Sequence, residues 1–97
     1  MRRAARIDDN QNSIVSKLRQ IGCSVAITSA VGKGFPDIVV GYKGRNFMFE
    51  IKDGNKPPSA RKLTNDERKW HDDWRGKVHV VECFADCLEV FIEYDEK

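Results

Sequence analysis

Residues 34–52 read GFPDIVVGYKGRNFMFEIK and decide the fold, because they have the pattern of two β-strands joined by a tight turn. Lys43-Gly44 lies between the two apolar runs and is a candidate two-residue turn. The hairpin nevertheless carries Asp37, Glu50 and Lys52 among residues suited to burial. A core hairpin with three charges requires either solvent on one face or a specific partner for those charges.

Asp37 and Glu50 lie opposite each other if Lys43-Gly44 is the turn, because cross-strand partners share one face of a hairpin. Two carboxylates so placed repel each other, and they supply the oxygen ligands that a divalent cation such as Mg²⁺ or Mn²⁺ prefers. Lys52 points to the same face, where its ammonium can orient a water molecule or offset negative charge. The alternative is that all three are charges on a solvated face. A longer turn moves Asp37 to a diagonal position, still within reach of one ion.

Hydrophobic periodicity predicts the other elements, in the overall order α-β-β-β-α-β-α. Around the hairpin strands over 36–42 and 45–52, the pattern favours helices over 10–22, 61–74 and 85–94 and strands over 23–31 and 77–84. Phe47, Phe49 and Ile51 alternate with the charged face of the hairpin and are predicted to build the core. We predict one α/β domain over residues 1–97, with a mixed central sheet flanked by helices and a flexible basic arm over residues 1–6.

Two polar residues fall inside predicted apolar helix faces. Glu67 lies three residues before Trp70 on such a face, where an unpaired carboxylate is costly, so we expect it to point inward. Gln11 opens the apolar stripe of the first helix. It is either a polar edge behind an Asp8 or Asn10 cap or a member of a site.

Composition and charge narrow the class of protein. The chain has 97 residues, 40% hydrophobic and 33% charged, with a net charge of +2, which suits one small globular domain. Residues 1–81 hold 16 Lys and Arg against 9 Asp and Glu, whereas residues 82–97 hold one Lys against six acidic residues. Such a basic body can neutralise phosphates, although a charged surface also serves solubility alone. No apolar run has the length of a membrane span and no signal peptide is visible, so we expect an intracellular protein without a membrane partner.

The three cysteines, at positions 23, 83 and 87, contain no CxxC pair, so neither a disulfide framework nor a zinc ribbon is expected. A zinc site formed by Cys83, Cys87, His71 and His79 matches no common ligand spacing. Free thiols, buried or half-buried, are the simpler interpretation.

Pro36-Asp37, followed after a short hairpin by Glu50-Ile51-Lys52, resembles the PD-(D/E)xK signature of a nuclease superfamily whose core has a similar α-β-β-β-α-β order. The segments RIDDNQ, VGKGFPDIVVGYKGRNFMFEIKDG and LTNDERKWHDDWRGKVHVV are similar to the virus-type replication-repair nuclease (VRR-NUC) domain, in particular to its small phage-encoded single-domain members. The resemblance spans roughly residues 6–92. It implies a restriction-endonuclease-like α/β fold with a C-terminal helix and a metal-dependent phosphodiesterase acting on DNA.

The resemblance also implies a role for each motif residue. Asp37, Glu50 and the backbone carbonyl of Ile51 become ligands of Mg²⁺ or Mn²⁺. Lys52 becomes the residue that positions or activates the attacking water. No organic small-molecule cofactor is expected.

Two further positions are implied as catalytic by the same resemblance. Members of the family often carry Gln where this chain has Glu67, so a polar role is implied there and its nature is open. Related nucleases carry a Glu on the first helix that completes the metal site. The corresponding residue here is Gln11, a neutral substitute that would weaken a second metal, so the number of ions is open.

The predicted function is a metal-dependent, structure-selective DNA endonuclease. Similarity to dimeric Holliday-junction resolvases implies a homodimer that acts on branched or four-way DNA, and the phage-type resemblance implies the cytoplasm of a phage-infected or prophage-carrying bacterial cell. The alternatives are a non-catalytic DNA-binding or assembly module of the same fold, or a nuclease for other structures such as flaps. Basic residues near the motif in sequence are candidates for phosphate contacts, namely Lys33, Arg45, Lys56, Arg61, Lys62, Arg68 and Lys69.

Overall fold

A computed structural model of the chain describes residues 10–95. The helices are α1 (Gln11–Gln20), α2 (Pro58–Arg61), α3 (Asn65–Asp73) and α4 (Phe84–Asp95), and the strands are β1 (Ser24–Ile27), β2 (Ile38–Tyr42), β3 (Arg45–Ile51) and β4 (His79–Val81). A 3₁₀ turn, Ser29–Val31, lies between β1 and β2. The predicted basic arm over 1–6 and the candidate cap Asp8 lie outside the described residues.

Strands β2 and β3 form the predicted hairpin. Lys43 and Gly44 have φ angles of 50° and 77°, the positive values that a two-residue hairpin turn requires at both central positions. The register pairs Tyr42 with Arg45 and continues to Ile38 opposite Phe49, as that turn dictates. The predicted turn and register are confirmed, so residues 37 and 50 arrive at the same end of the hairpin.

The four strands form one mixed sheet in the order β1-β2-β3-β4. The pairs β1–β2 and β2–β3 are antiparallel, whereas β3–β4 is parallel. A parallel neighbour cannot be reached by a tight turn, and α2 and α3 supply the required crossover. The predicted mixed α/β architecture is confirmed.

The core lies between one face of this sheet and helices α1 and α4. Phe47, Phe49 and Ile51, the predicted core residues of β3, are 4%, 0% and 1% exposed. Phe91 of α4 packs its ring edge-on against Phe47, with 4.9 Å between ring centroids. The buried apolar residues that complete the core are Ile14, Val15, Leu18, Cys23, Ile38, Val40, Val81 and Cys87.

The predicted helix over 61–74 differs from the structure at both ends. Helix α3 starts later because Thr64 caps it: the Thr64 hydroxyl accepts the Glu67 N–H at 3.2 Å, and the Glu67 carboxylate accepts the Thr64 N–H at 2.9 Å. At its other end α3 stops before Trp74, whose side chain is 44% exposed. Pro58 starts the separate helix α2, because proline is tolerated in a first helical turn.

Two predicted strands are also shorter than expected. The strand predicted over 23–31 ends at Ile27, because the Thr28 hydroxyl donates to the Pro36 carbonyl at 2.7 Å and the chain then turns away from the sheet. The strand predicted over 77–84 is reduced to β4. Among the helices of residues 10–95, none combines the length and the apolar character needed to cross a membrane.

Candidate active site

Asp37 and Ile51 are joined where the hairpin ends. The Asp37 Oδ2 atom accepts the Ile51 N–H at 2.7 Å, and the Asp37 N–H donates to the Phe49 carbonyl at 3.1 Å. The next residue, Lys52, bonds through its N–H to Val81 on the other side of β3. Since the N–H and C=O of one strand residue point to the same side, the Ile51 carbonyl is directed toward Asp37.

Glu50 is the most deeply buried charged residue of the site, with 1% of the residue exposed. Burial, and then the neighbouring carboxylates of Asp37 and Glu67, raise its pKa to about 10, and Lys52 offsets this only in part. Its Oε1 atom has no hydrogen-bond partner among residues 10–95. A carboxyl in this environment holds a proton unless a cation takes the place of that proton.

Lys52 and Glu67 form an ion pair beside Glu50. The Lys52 Nζ atom lies 2.7 Å from Glu67 Oε1, and the two side chains are 9% and 18% exposed. Burial raises the pKa of Glu67, but the hydrogen bonds from Lys52 and from the Thr64 N–H outweigh it, and the net shift is downward. Glu67 therefore faces inward, as the sequence predicted, and neutralises the Lys52 ammonium.

Asn10 holds the end of β3 in place. Its Nδ2 atom donates to the Lys52 carbonyl at 3.1 Å and to the Glu82 carbonyl at 2.7 Å. The start of α1 is thereby tied to the chain directly after both β3 and β4. The sequence indicated only a capping role for Asn10, because the two acceptors lie 42 and 72 residues away along the chain.

Gln11 is buried but lies behind the site. It is 1% exposed, and its amide exchanges hydrogen bonds of 3.2 and 3.3 Å with the Ser29 hydroxyl, which in turn lies 3.5 Å from the Asp37 carbonyl oxygen. Gln11 thus supports the backbone of Asp37. It does not line the cavity described below, and its catalytic role stays a prediction.

His71 lies next to Glu50, a position that was not predicted from the sequence, and like Gln11 it does not line the cavity described below. Its Nε2 atom lies 3.6 Å from Glu50 Oε1, and its side chain is 11% exposed. Burial lowers the pKa of the imidazole, and Lys52 adds to this while Glu67 opposes it. The signal in the sequence was the spacing, because His71 follows Glu67 by four residues and therefore shares its helix face.

The loop before β2 holds α3 in position. Gly34 has a φ angle of +83°, and a Cβ atom there would overlap the Asp66 backbone at the start of α3. Phe35 adds an edge-on contact with Trp70 at 5.3 Å between ring centroids. Close approach of the loop therefore fixes the helix that carries Glu67.

A cavity of about 300 Å³ opens over these groups. Its walls combine the motif with residues of α2 and α3 and the segments next to them: Asp37, Glu50, Ile51, Lys52, Lys56, Ser59, Ala60, Lys62, Thr64 and Glu67. The lining contains three carboxyl groups and three lysines, a mixture that suits a cation together with an anionic group such as a phosphodiester.

The predicted phosphate-contact residues separate into groups. Lys56 and Lys62 line the cavity, and Arg61 next to it lies 3.7 Å from a Glu82 carboxylate oxygen. Arg45 stands at the other end of β3, six residues before Ile51 and therefore about 20 Å away along the strand.

The other three lie on or near the surface of α3. Lys33 and Lys69 line a second cavity of about 470 Å³ beside the Trp70 and Trp74 rings, and Lys69 pairs with Asp73 at 2.9 Å. Arg68 is exposed on α3.

Within residues 10–95, no three His, Cys, Asp or Glu side chains are already arranged as a metal cluster, so the zinc alternative is not formed. The three cysteines are free, with Cys83 exposed and the other two buried. The donor set of the cavity does fit a divalent cation. It offers the carboxyl groups of Asp37 and Glu50, of which Glu50 Oε1 has no partner within residues 10–95, and the backbone carbonyl of Ile51, which is directed toward Asp37.

Comparison with solved structures finds a likeness to a structure described as "VRR_NUC domain". The TM-score is 0.61 at 24% sequence identity, and the match covers 87% of this chain and 91% of that chain. No protein-family model matches, and neither does any curated protein. The chain has a VRR-NUC fold, which confirms the predicted restriction-endonuclease-like architecture.

Proposed function

We propose that this protein is a metal-dependent nuclease that hydrolyses phosphodiester bonds in DNA. The observation that carries the proposal is Glu50, buried beside the carboxylate of Asp37 with its Oε1 atom unpartnered among the described residues. The ammonium of Lys52, beside Glu50, is already engaged by Glu67. Within residues 10–95 no cationic side chain bonds Glu50 Oε1, and a divalent cation supplies that charge. The VRR-NUC fold supports the same reading.

In the proposed mechanism Asp37, Glu50 and the Ile51 carbonyl hold the cation, which polarises a phosphoryl oxygen when bound. The Ile51 N–H fixes the Asp37 carboxylate before the substrate arrives, so little reorganisation is needed. Lys52 lies on the same face of β3 and is held by Glu67. Its ammonium orients the attacking water and offsets negative charge that develops on the phosphate.

The substrate we propose is branched DNA cut by a homodimer. A four-way junction needs two opposed strands cut in one complex, and a two-fold dimer duplicates the site at a fixed separation. Strand β1 lies at the edge of the sheet, and Ile27 in β1 and Val31 after it are 50% and 60% exposed. This apolar edge is the surface we propose for self-association. Lys56 and Lys62 line the cavity, which supports them as contacts for the phosphates beside the cleaved bond.

The test is a cleavage assay on linear, flap and four-way DNA with Mn²⁺, Mg²⁺ or a chelator. Cleavage is expected to require a metal and to fall to background in Asp37→Asn. The matched control is Asp73→Asn, the same chemical change at an exposed carboxylate paired with Lys69, and it should cleave like the parent protein.

Cleavage by Asp37→Asn at the parental rate would remove the active-site assignment. If the parent protein binds all three DNAs and cuts none with either metal, the chain is a binding module instead. Light scattering separates the dimer proposal from the nuclease proposal. A particle of 11.1 kDa, together with equal cleavage of linear and branched DNA, contradicts the dimer and leaves the nuclease.

A further inference from the structure

Two buried polar atoms face each other across a gap in the site. Glu50 Oε1 and His71 Nε2 are 3.6 Å apart, and the side chains that carry them are 2% and 11% exposed. Neither atom has a hydrogen-bond partner within residues 10–95. At 3.6 Å the two atoms are too far apart to bond each other. Buried polar atoms are rarely left in this state, and an ion or a water between them is the usual explanation.

The separation matches two ligands of one metal ion. Carboxylate oxygen and imidazole nitrogen each lie about 2.1 Å from a transition metal such as Zn²⁺, so a tetrahedral pair of such ligands is about 3.4 Å apart. The observed 3.6 Å is within a few tenths of an ångström of that value. The Glu50–His71 pair therefore already has the separation of two ligands of one ion, whereas the full set with Asp37 is not yet arranged as a cluster within residues 10–95.

Charge favours a cation over a water molecule in this gap. Glu50 is adjacent to the carboxylates of Asp37 and Glu67, and the Lys52 ammonium is bonded to Glu67 at 2.7 Å. A water molecule would bridge the two atoms but would bring no positive charge to the carboxyl groups of Asp37 and Glu50. A divalent cation satisfies Glu50 Oε1 and His71 Nε2 and provides the opposite charge.

We infer that His71 is a nitrogen ligand of the proposed catalytic cation, which it shares with Glu50, and that it biases the site toward transition metals such as Mn²⁺ over Mg²⁺. Imidazole suits transition metals, whereas Mg²⁺ prefers oxygen ligands and water. This inference rests on the proposed function and adds to it a ligand and a metal preference. His71 is thereby assigned to the site by its position opposite Glu50 and not by the PD-(D/E)xK motif.

Pulsed EPR of the Mn²⁺-loaded protein tests the inference directly, because it detects the nuclear spin of a coordinated nitrogen. The chain has two histidines, His71 and His79. We expect a ¹⁴N signal from imidazole in the parent protein, and we expect it to change to a ¹⁵N signal when the protein is grown on ¹⁵N-histidine. This comparison uses the unaltered chain, so it does not depend on any variant folding.

Two matched variants assign the nitrogen. His71→Gln is expected to lose the imidazole signal and to bind Mn²⁺ about tenfold or more weakly by calorimetry, with a smaller change for Mg²⁺. His79→Gln, the same change at the other histidine, is expected to keep both the signal and the Mn²⁺ affinity. Circular dichroism checks that both variants are folded.

The outcomes separate this inference from the proposed function. Mn²⁺ binding that depends on Asp37 but shows no imidazole nitrogen overturns the His71 ligand and leaves the nuclease proposal intact. The same holds if the signal disappears in His79→Gln and persists in His71→Gln, or if both histidine variants bind Mn²⁺ like the parent. A parent protein that binds neither Mn²⁺ nor Mg²⁺ overturns both.

Discussion

The two faces of strand β3 differ in how their buried side chains are satisfied, and one histidine stands on each face. On the core face, Phe49 packs against Phe91 and His79, with ring centroids 6.1 and 5.9 Å away. On the site face, Glu50 and His71 approach to 3.6 Å without bonding. Phe49 and Glu50 are consecutive residues of one strand, so the difference between the two faces lies in the side chains and not in the backbone.

Burial alone does not distinguish these faces, since Phe49 and Glu50 are 0% and 1% exposed. Phe49 is satisfied by apolar contact in every direction, which is the state of an ordinary core residue. Glu50 is equally buried but has an oxygen with no partner within residues 10–95. A buried polar atom without a partner requires an explanation, which the proposed cation provides for Glu50, whereas Phe49 requires none.

The largest effect is expected when Phe49 is replaced by a smaller residue and Glu50 by a neutral one, each in metal-free protein. Phe49→Ala should lower the free energy of unfolding by about 3–5 kcal/mol, because it leaves a cavity in the core. Glu50→Gln should leave that free energy nearly unchanged, because burial and the neighbouring carboxylates raise the pKa of Glu50 to about 10, so that without a metal the side chain is already neutral and Gln is its neutral isostere. Urea unfolding in the presence of a chelator measures both.

The control for this pair is Val80→Ala, at a half-exposed apolar position on the neighbouring strand, which should change stability by no more than about 0.5 kcal/mol. If Glu50→Gln is destabilised as much as Phe49→Ala, the two faces are equivalent and Glu50 is a structural residue.

Lys52→Ala tests the site face through the rate of catalysis. Turnover is expected to fall by at least about 10²-fold, the scale of a lost charge-stabilising or proton-transferring group. Mn²⁺ affinity should change little, because Lys52 bonds to Glu67 and not to the proposed ligands. Calorimetry and single-turnover cleavage measure the two quantities separately.

Lys62→Ala is the matched control, since this lysine lines the same cavity without contacting Glu67 in the described hydrogen bonds. It should weaken DNA binding more than turnover. Loss of the metal in Lys52→Ala would show that the ammonium holds the site together and has no separate chemical role.

The hairpin could be predicted from sequence because its information is local. Lys43 and Gly44 adopt the positive φ angles that such a turn needs, and the alternation from Phe47 to Ile51 then fixes which side chains face the core. From that register alone, Glu50 is assigned to the site face. Turn geometry alone therefore predicts the carboxylate pair at residues 37 and 50.

The rest of the site depends on contacts that a local pattern does not contain. Asn10 reaches acceptors on residues 52 and 82, far away in sequence. Pro58 starts the short helix α2, which was not predicted because proline is a helix breaker everywhere except in the first helical turn. Thr64 and Glu67 form a capping box, and this pattern in the sequence predicts the correct start of α3. His71 could have been found by extending the same helix face by one turn from Glu67.

Thr64→Ala should lower the free energy of unfolding by about 1 kcal/mol, the usual contribution of an N-cap side chain. Its hydroxyl accepts the Glu67 N–H at 3.2 Å, so its loss should destabilise α3 on the site face and leave the core face untouched. Thr64→Ser keeps the cap and should be close to the parent in urea unfolding. Equal stability of the Ala and Ser variants would mean that Lys52, and not the cap, holds the start of α3.

The smallest effect is expected from His79 on the core face, where acid should destabilise the fold. Burial lowers the pKa of His79, with Lys77 acting in the same direction and Glu93 opposing it. The unfolded chain then takes up a proton near pH 6.5 that the folded protein resists, so the free energy of unfolding falls as pH drops from 7 toward 5. Because the ring is only half-buried, the slope should stay well below the roughly 1.4 kcal/mol per pH unit of a single group.

Chemical denaturation between pH 5 and 7 should show a flatter profile in His79→Gln than in the parent, and NMR titration should place the His79 pKa below 6.5. A His79 that titrates at or above that value, or a profile that His79→Gln leaves unchanged, would contradict the assignment. His79 would then be solvated in spite of its position beside Phe49 and Tyr94, whose ring centroids each lie 5.9 Å from its own. The core face would in that case also carry a polar group, one that reaches water, and the distinction between the two faces would rest on Glu50 and His71 alone.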